Sequence, residues 1–156
     1  MEELNQARGN AYFPQVLLPF SMQASLPTTI LFDGVCNLCN GFVQFVIQHD
    51  PAGRFHFAAL QSELGQQILK EHGLHTQNFQ TVLLLEDGRL YKQSTAALRI
   101  ARRLHGAWSW TYALVVVPSF LRDAVYDFVS RNRYRWFGQQ ESCLLPTPEL
   151  KARFLS

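Results

Sequence analysis

Three cysteines in 156 residues are too few, and odd in number, for a disulfide framework: a small secreted domain that relies on disulfides carries a larger, even set. The count points to a reducing compartment, and a cytoplasmic location is expected. Charge of one sign is scarce too. Lys and Arg number 14 against 12 Asp and Glu, for a net charge of +2, too small an excess to draw the chain to nucleic acid or an anionic membrane. Long apolar runs are also missing. The longest, residues 113–117 behind Trp108, Trp110 and Tyr112, stops at Pro118 and falls well short of the ~20 residues of a membrane-crossing helix. It is read as buried or interfacial, and no integral membrane segment is expected. The first residues hold Glu2, Glu3, Pro14 and Pro19 around one short apolar patch, 16–20, a poor signal peptide. Repeats and low-complexity tracts are lacking, which argues against a solenoid or a disordered scaffold.

What is present fits one compact domain, since hydrophobic residues make up 47% of the chain and suffice for one core. Residues 1–27 show neither a helical nor a strand period and are punctuated by Pro14, Pro19 and Pro27, so they are set apart as an N-terminal extension, with Met22 an alternative start. Residues 28–156 form the domain. A β-branched and apolar run at 28–32 predicts a buried strand, and Asp33-Gly34 turns the chain. Leu38, Phe42, Phe45 and Val46 then recur at helical spacing until Asp50-Pro51. Residues 54–60 alternate as a second strand, and Ser62 caps a helix carrying Leu64, Ile68 and Leu69 that ends at Gly73.

Residues 81–85 and 89–92 flank Glu86-Asp87-Gly88, a strong hairpin signal. Ser94 is expected to cap a third helix with Ala97, Ile100, Ala101 and Leu104 on one face. The order is β-α-β-α-β-β-α, an α/β fold of thioredoxin-like plan, with a helical cap over about 107–156. In that cap, Phe120, Leu121, Ala124, Val125, Phe128 and Val129 form one apolar stripe with Asp123 and Asp127 outside it.

The chemistry centres on Cys36-Asn37-Leu38-Cys39. A Cys-x-x-Cys at the first turn of a helix sets its first cysteine beside unpaired backbone amides and the positive end of the helix dipole, which favours thiolate. The second cysteine, three residues on, can reach the first and close a disulfide. Cys36 is therefore expected to attack a disulfide and Cys39 to resolve the mixed disulfide, with no cofactor beyond their own disulfide. Asp33 stands at the same turn, where a carboxylate can move protons to or from a cysteine, although Asp before Gly is also ordinary turn chemistry.

The run Asp33-Gly34-Val35-Cys36-Asn37-Leu38-Cys39, taken with the late run Arg131-Asn132-Arg133-Tyr134-Arg135-Trp136-Phe137-Gly138, resembles the DCC family, named for its Asp-x-x-Cys-x-x-Cys motif. The resemblance covers about residues 28–143. It implies a thioredoxin-like fold and thiol-disulfide exchange with a protein or small-thiol disulfide, and it maps Asp33, Cys36 and Cys39 onto the naming residues. Two departures from thioredoxin itself stand out. The motif interior is Asn37-Leu38 in place of Gly-Pro, and Asn78-Phe79-Gln80 occupies the place of the cis-proline that holds substrate backbone.

Arg133, Tyr134, Arg135 and Trp136 are candidates to fold back over the redox pair, an arginine stabilising the Cys36 thiolate and an aromatic excluding water; the plainer alternative is a docked cap with solvated arginines. Cys143 is either a further resolving thiol or a solitary cysteine. The histidines, His49, His56, His72, His75 and His105, show no ligand spacing beyond the loose pair His72 and His75, and are read as surface residues with no metal site. Two other functions stay open at this level. One is a zinc module built from Cys36, Cys39, Cys143 and a histidine. The other is a redox-inert module that binds a protein through Trp108, Trp110 and Tyr112.

Overall fold

The computed structural model describes residues 26–75, 81–139, 147–148 and 150–155. Its centre is β1, Thr29–Phe32, buried along its whole length. Because successive side chains of a strand point to opposite faces, Ile30 and Phe32 enter one core with Val43, Val46, Phe57, Leu84 and Ile100. Leu31 enters a second core with Leu83, Leu85, Ile68 and Leu69. A strand buried on both faces explains the unbroken apolar run.

Strand β2, His56–Ala59, lies parallel to β1, and parallel neighbours need a crossover. Helix α1, Asn37–His49, supplies it. Helix α2, Glu63–Glu71, starts under Ser62, whose hydroxyl accepts the Gly65 amide at 3.1 Å. Gly65 must be glycine, since a Cβ there would collide with the Ala59 carbonyl. Strands β3, Leu83–Glu86, and β4, Arg89–Lys92, form the expected hairpin. Asp87 and Gly88 both take positive φ, 51° and 72°, the conformation of a two-residue type I′ turn. Helix α3, Gln93–Arg103, follows directly. With a short last strand, β5, Phe154–Leu155, the sheet order is β4-β3-β1-β2-β5, with β3 antiparallel to β1, which is the thioredoxin-like arrangement.

Three expectations are corrected. Ser94 does not cap α3: the preceding Lys92 holds the cap position without a side-chain bond, while the Ser94 hydroxyl donates to Asp123 and its amide reaches the same carboxylate oxygen at 3.4 Å. The cap comes from another helix. That helix, α4, Ser119–Phe137, also turns the opposite way from its apolar stripe. Asp123 and Asp127 face α3, the latter accepting Gln93 Nε2 at 2.6 Å, whereas Phe120 is 70% and Val125 67% exposed. Specific polar anchors, at the same helical spacing as the apolar residues, decide which face docks. Lastly, the chain does not end in helix. After the 3₁₀ turn Lys151–Arg153, β5, Phe154–Leu155, joins the sheet parallel to β2, held by Arg153, which pairs with buried Asp50 at 2.6 Å.

The aromatic run over Ala107–Val116 is a 3₁₀ helix with no buried residue, which rules out the buried reading. Among the described residues no helix is long and apolar enough to cross a membrane. Asp123→Ala is expected to destabilise the fold by about 1 kcal/mol through loss of the α3 cap, read as a lower urea midpoint.

Candidate active site

The turn from β1 into α1 fixes the site. The Cys36 amide donates to the Asp33 carbonyl at 3.3 Å, and Asn40 Nδ2 donates to the Gly34 carbonyl at 3.1 Å. Cys36 takes the N-cap position of α1 in extended conformation. Cys39, one turn in, lies within hydrogen-bonding reach of it. Both thiols are free and buried.

Beneath them lies a buried charge cluster. The Asp33 carboxylate accepts Gln61 Nε2 at 2.8 Å and the Val35 amide at 3.2 Å on Oδ1. On Oδ2 it accepts Arg133 Nη2 at 2.8 Å and the Tyr134 hydroxyl. Arg133 Nη1 in turn sits 3.4 Å from Cys39 Sγ. Arg133 and Asp33 side chains are each only 3% exposed, so this ion pair is stabilised by geometry and complete hydrogen bonding at the carboxylate, against a large desolvation cost. Burial, together with charge on Cys36, pushes the Cys39 thiol up to about 12, and Arg133 opposes both. Burial, with the bond to Asp33, also pushes Tyr134 up to about 12. Cys39 is thus a thiol at neutral pH, with a cation waiting for the thiolate.

The end of α4 closes over Cys36. Asn37 Nδ2 donates to the Phe137 carbonyl at 2.8 Å, the Asn37 amide approaches the Gly138 carbonyl at 3.5 Å, and Cys36 bridges Gln139 in antiparallel fashion. Gly138 makes this possible. Its φ of 77° and ψ of −178° belong to a region open essentially to glycine alone, and a Cβ would stand 3.3 Å from Asn37 Nδ2. Gly138→Ala is expected to loosen the strap and speed alkylation of Cys36 by about tenfold, the equivalent of 1–2 kcal/mol of strain, measured by mass spectrometry against time.

Of the residues singled out in the sequence, Asp33, Cys36, Cys39 and Arg133 converge. Arg135 and Trp136 do not: both are exposed, Arg135 because two residues beyond Arg133 is about 200° further round a helix, while the Trp136 ring stacks edge-on against Phe128. Of the aromatics in the late run, Tyr134 packs against the core that holds the pair. Tyr134, named with Arg133 in the late run, also reaches the site, through its hydroxyl on Asp33. Gln61 was not foreseen and carries no sequence signal. Cys143 and residues 78–80 lie outside the described residues. Among those described, no three His, Cys, Asp or Glu side chains are grouped to hold a metal ion.

A pair of cysteines at a helix start, with a buried Asp–Arg pair behind them drawn from opposite ends of the domain, is a constellation that comparison with known proteins can test. The chain is 51% identical over 126 residues to the uncharacterized protein YuxK of Bacillus subtilis (strain 168), covering 81% of this chain and 92% of that protein. It is 42% identical over 117 residues to the chloroplastic DCC family protein At1g52590 of Arabidopsis thaliana, covering 74% and 68%. No solved structure matches significantly. The family model described as DCC1-like thiol-disulfide oxidoreductase spans residues 30–139, from β1 through Arg133 to the strap over Cys36, and the chain belongs to that family.

Proposed function

We propose that the protein exchanges dithiol for disulfide with a protein or small-thiol partner through Cys36 and Cys39. The observation that carries this reading is the Arg133 guanidinium, 3.4 Å from Cys39 Sγ and 2.8 Å from the Asp33 carboxylate. In the reducing direction, the Cys36 thiolate attacks one sulfur of the substrate disulfide, forming a Cys36–S bond and releasing the first substrate thiolate. Cys39 then gives up its proton and attacks Cys36 sulfur. The second substrate thiolate leaves, takes up a proton, and the Cys36–Cys39 disulfide remains. The reverse sequence oxidises a substrate dithiol.

In either direction Arg133 stabilises the charge that develops on Cys39 in a site that excludes water, where a preorganised cation counts for more than in solvent. Asp33 acts as a positioning residue: accepting hydrogen bonds from four donors, it holds Arg133 against the sulfur. The strap at Gly138–Gln139 must open for a substrate to reach Cys36.

Cys39→Ala is expected to halt the reaction at the mixed disulfide and trap substrate on Cys36, seen as a covalent mass increase reversed by dithiothreitol. No adduct, or an adduct elsewhere in the chain, would refute the assignment of the attacking sulfur. Release from that mixed disulfide in the intact protein should quicken with rising pH between pH 7 and 9. The sign follows from burial, the largest cause, raising the Cys39 thiol, so that the thiolate fraction climbs with pH through that window. Stopped-flow release of a chromogenic thiol measures it.

A further inference from the structure

The outward side of α4 and of the 3₁₀ helix before it is apolar. Trp110 is 81% and Val116 85% exposed, and Leu114, Phe120, Val125 and Phe128 are exposed with them. Leu114 of the 3₁₀ helix lines one cavity together with Leu121 and Val125 of α4, so the two elements present a single surface. Of the described residues exposed between Ala107 and Phe128, Ser119 alone is polar. Single exposed apolar residues are ordinary, but a contiguous patch marks an interaction surface.

Charge around the patch has one sign. Residues 102–139 hold six arginines and two aspartates, and both aspartates are turned inward, Asp123 onto Ser94 and Asp127 onto Gln93 of α3. Among the described residues of that span no acidic side chain is exposed, whereas Arg102, Arg131 and Arg135 are. Arg131 and Arg135 follow Phe128 by three and seven positions, so they extend the apolar stripe along the same side of α4. The net charge of the whole chain, +2, conceals this local asymmetry.

These features discriminate between occupants. A second copy of the face brings arginines and no exposed acid to answer them. A protein partner is held by a polar rim and about one hydrogen bond per 100–200 Å² of contact, and this patch offers almost no polar side chain to make them. A lipid bilayer needs none. Tryptophan and aliphatic side chains enter the boundary between headgroups and acyl chains, and long arginines beside them reach back to anionic headgroups. All three tryptophans of the chain, Trp108, Trp110 and Trp136, are exposed on these two elements.

We infer that this face seats the protein on the surface of an anionic lipid bilayer, with α4 and the 3₁₀ helix lying in the plane of the interface without crossing it. The seat is independent of the dithiol–disulfide reading.

The test mixes full-length protein with vesicles of equal parts phosphatidylglycerol and phosphatidylcholine, sediments them, and follows tryptophan emission with and without bromine on the acyl chains. The expected result is protein in the pellet, emission shifted to the blue, and quenching by the brominated chains. Binding falls at least tenfold on pure phosphatidylcholine and in the double variant Arg131→Glu with Arg135→Glu. It falls as far in Val116→Asp with Phe120→Asp, whose side chains are exposed, so the far-ultraviolet circular dichroism stays that of the unaltered protein. Protein that remains in the supernatant, binding without quenching, or binding that both double variants retain overturns the inference. A dimer in solution that Val116→Asp with Phe120→Asp dissociates, with no vesicle binding, overturns it in favour of a second copy. Emission already that of buried indole in the protein alone, with no vesicle binding, overturns it in favour of a cover supplied by this chain itself.

Discussion

Arg133→Met is expected to destabilise the protein by about 3–5 kcal/mol, because it leaves the Asp33 carboxylate buried without its cation. The side chains are near-isosteric in their aliphatic part, so little of that loss comes from packing. A double variant, Asp33→Asn with Arg133→Met, removes both charges and should recover most of the stability, since replacing a whole buried pair is often close to neutral. The two substitutions are in direct contact and so must be strongly non-additive. Exchange activity should stay low in the double variant, because the cation 3.4 Å from Cys39 Sγ is still missing. Urea unfolding gives the stability cycle and single-turnover release gives the rate. Recovered activity in the stable double variant would show that Arg133 matters for the fold alone.

Cys36→Ser is expected to abolish disulfide exchange, leaving the rate of the uncatalysed reaction, while the fold is retained. Serine is isosteric with the thiol to within the difference between oxygen and sulfur, and Cys36 lies at the cap of α1, a position serine favours. The loss can therefore be assigned to chemistry and not to unfolding, and far-ultraviolet circular dichroism beside the activity assay checks this. The contrast with Cys39→Ala is diagnostic, since that variant retains the first half of the reaction and accumulates an adduct, and Cys36→Ser forms none.

Much of this architecture was legible from residue order. The β-branched run of β1, the period of α1, the Ser62 cap and the Asp87-Gly88 turn are local signals, each with a short-range physical cause, and each appears where the sequence put it. The redox motif was legible for the same reason, since its cysteines are three residues apart.

What was not legible is long-range. Asp33 and Arg133 are 100 residues apart, and only the resemblance of the late basic run to a family motif hinted that they meet. Helix α4 misled because its apolar stripe satisfied the helical period, yet Asp123, Tyr126 and Arg133 dock the opposite face through bonds to Ser94 of α3, Val82 just before β3, and Cys39 of α1. Periodicity reports that a face is apolar and does not report what covers it. Strand β5 was missed because two residues carry no detectable alternation, and its anchor, Arg153 on Asp50, spans 103 positions. Asp50 had served only as a helix stop.

The central claim is that Cys36 and Cys39 interconvert between dithiol and disulfide. Its most direct test is the redox equilibrium of the pair in a series of glutathione ratios, read by mass after alkylation in a Cys143→Ser background. The account predicts a reversible two-electron transition confined to Cys36 and Cys39, with both thiols alkylated at the reducing end and neither at the oxidising end. A pair that stays reduced across the series, or that forms only mixed disulfides with glutathione, would contradict it.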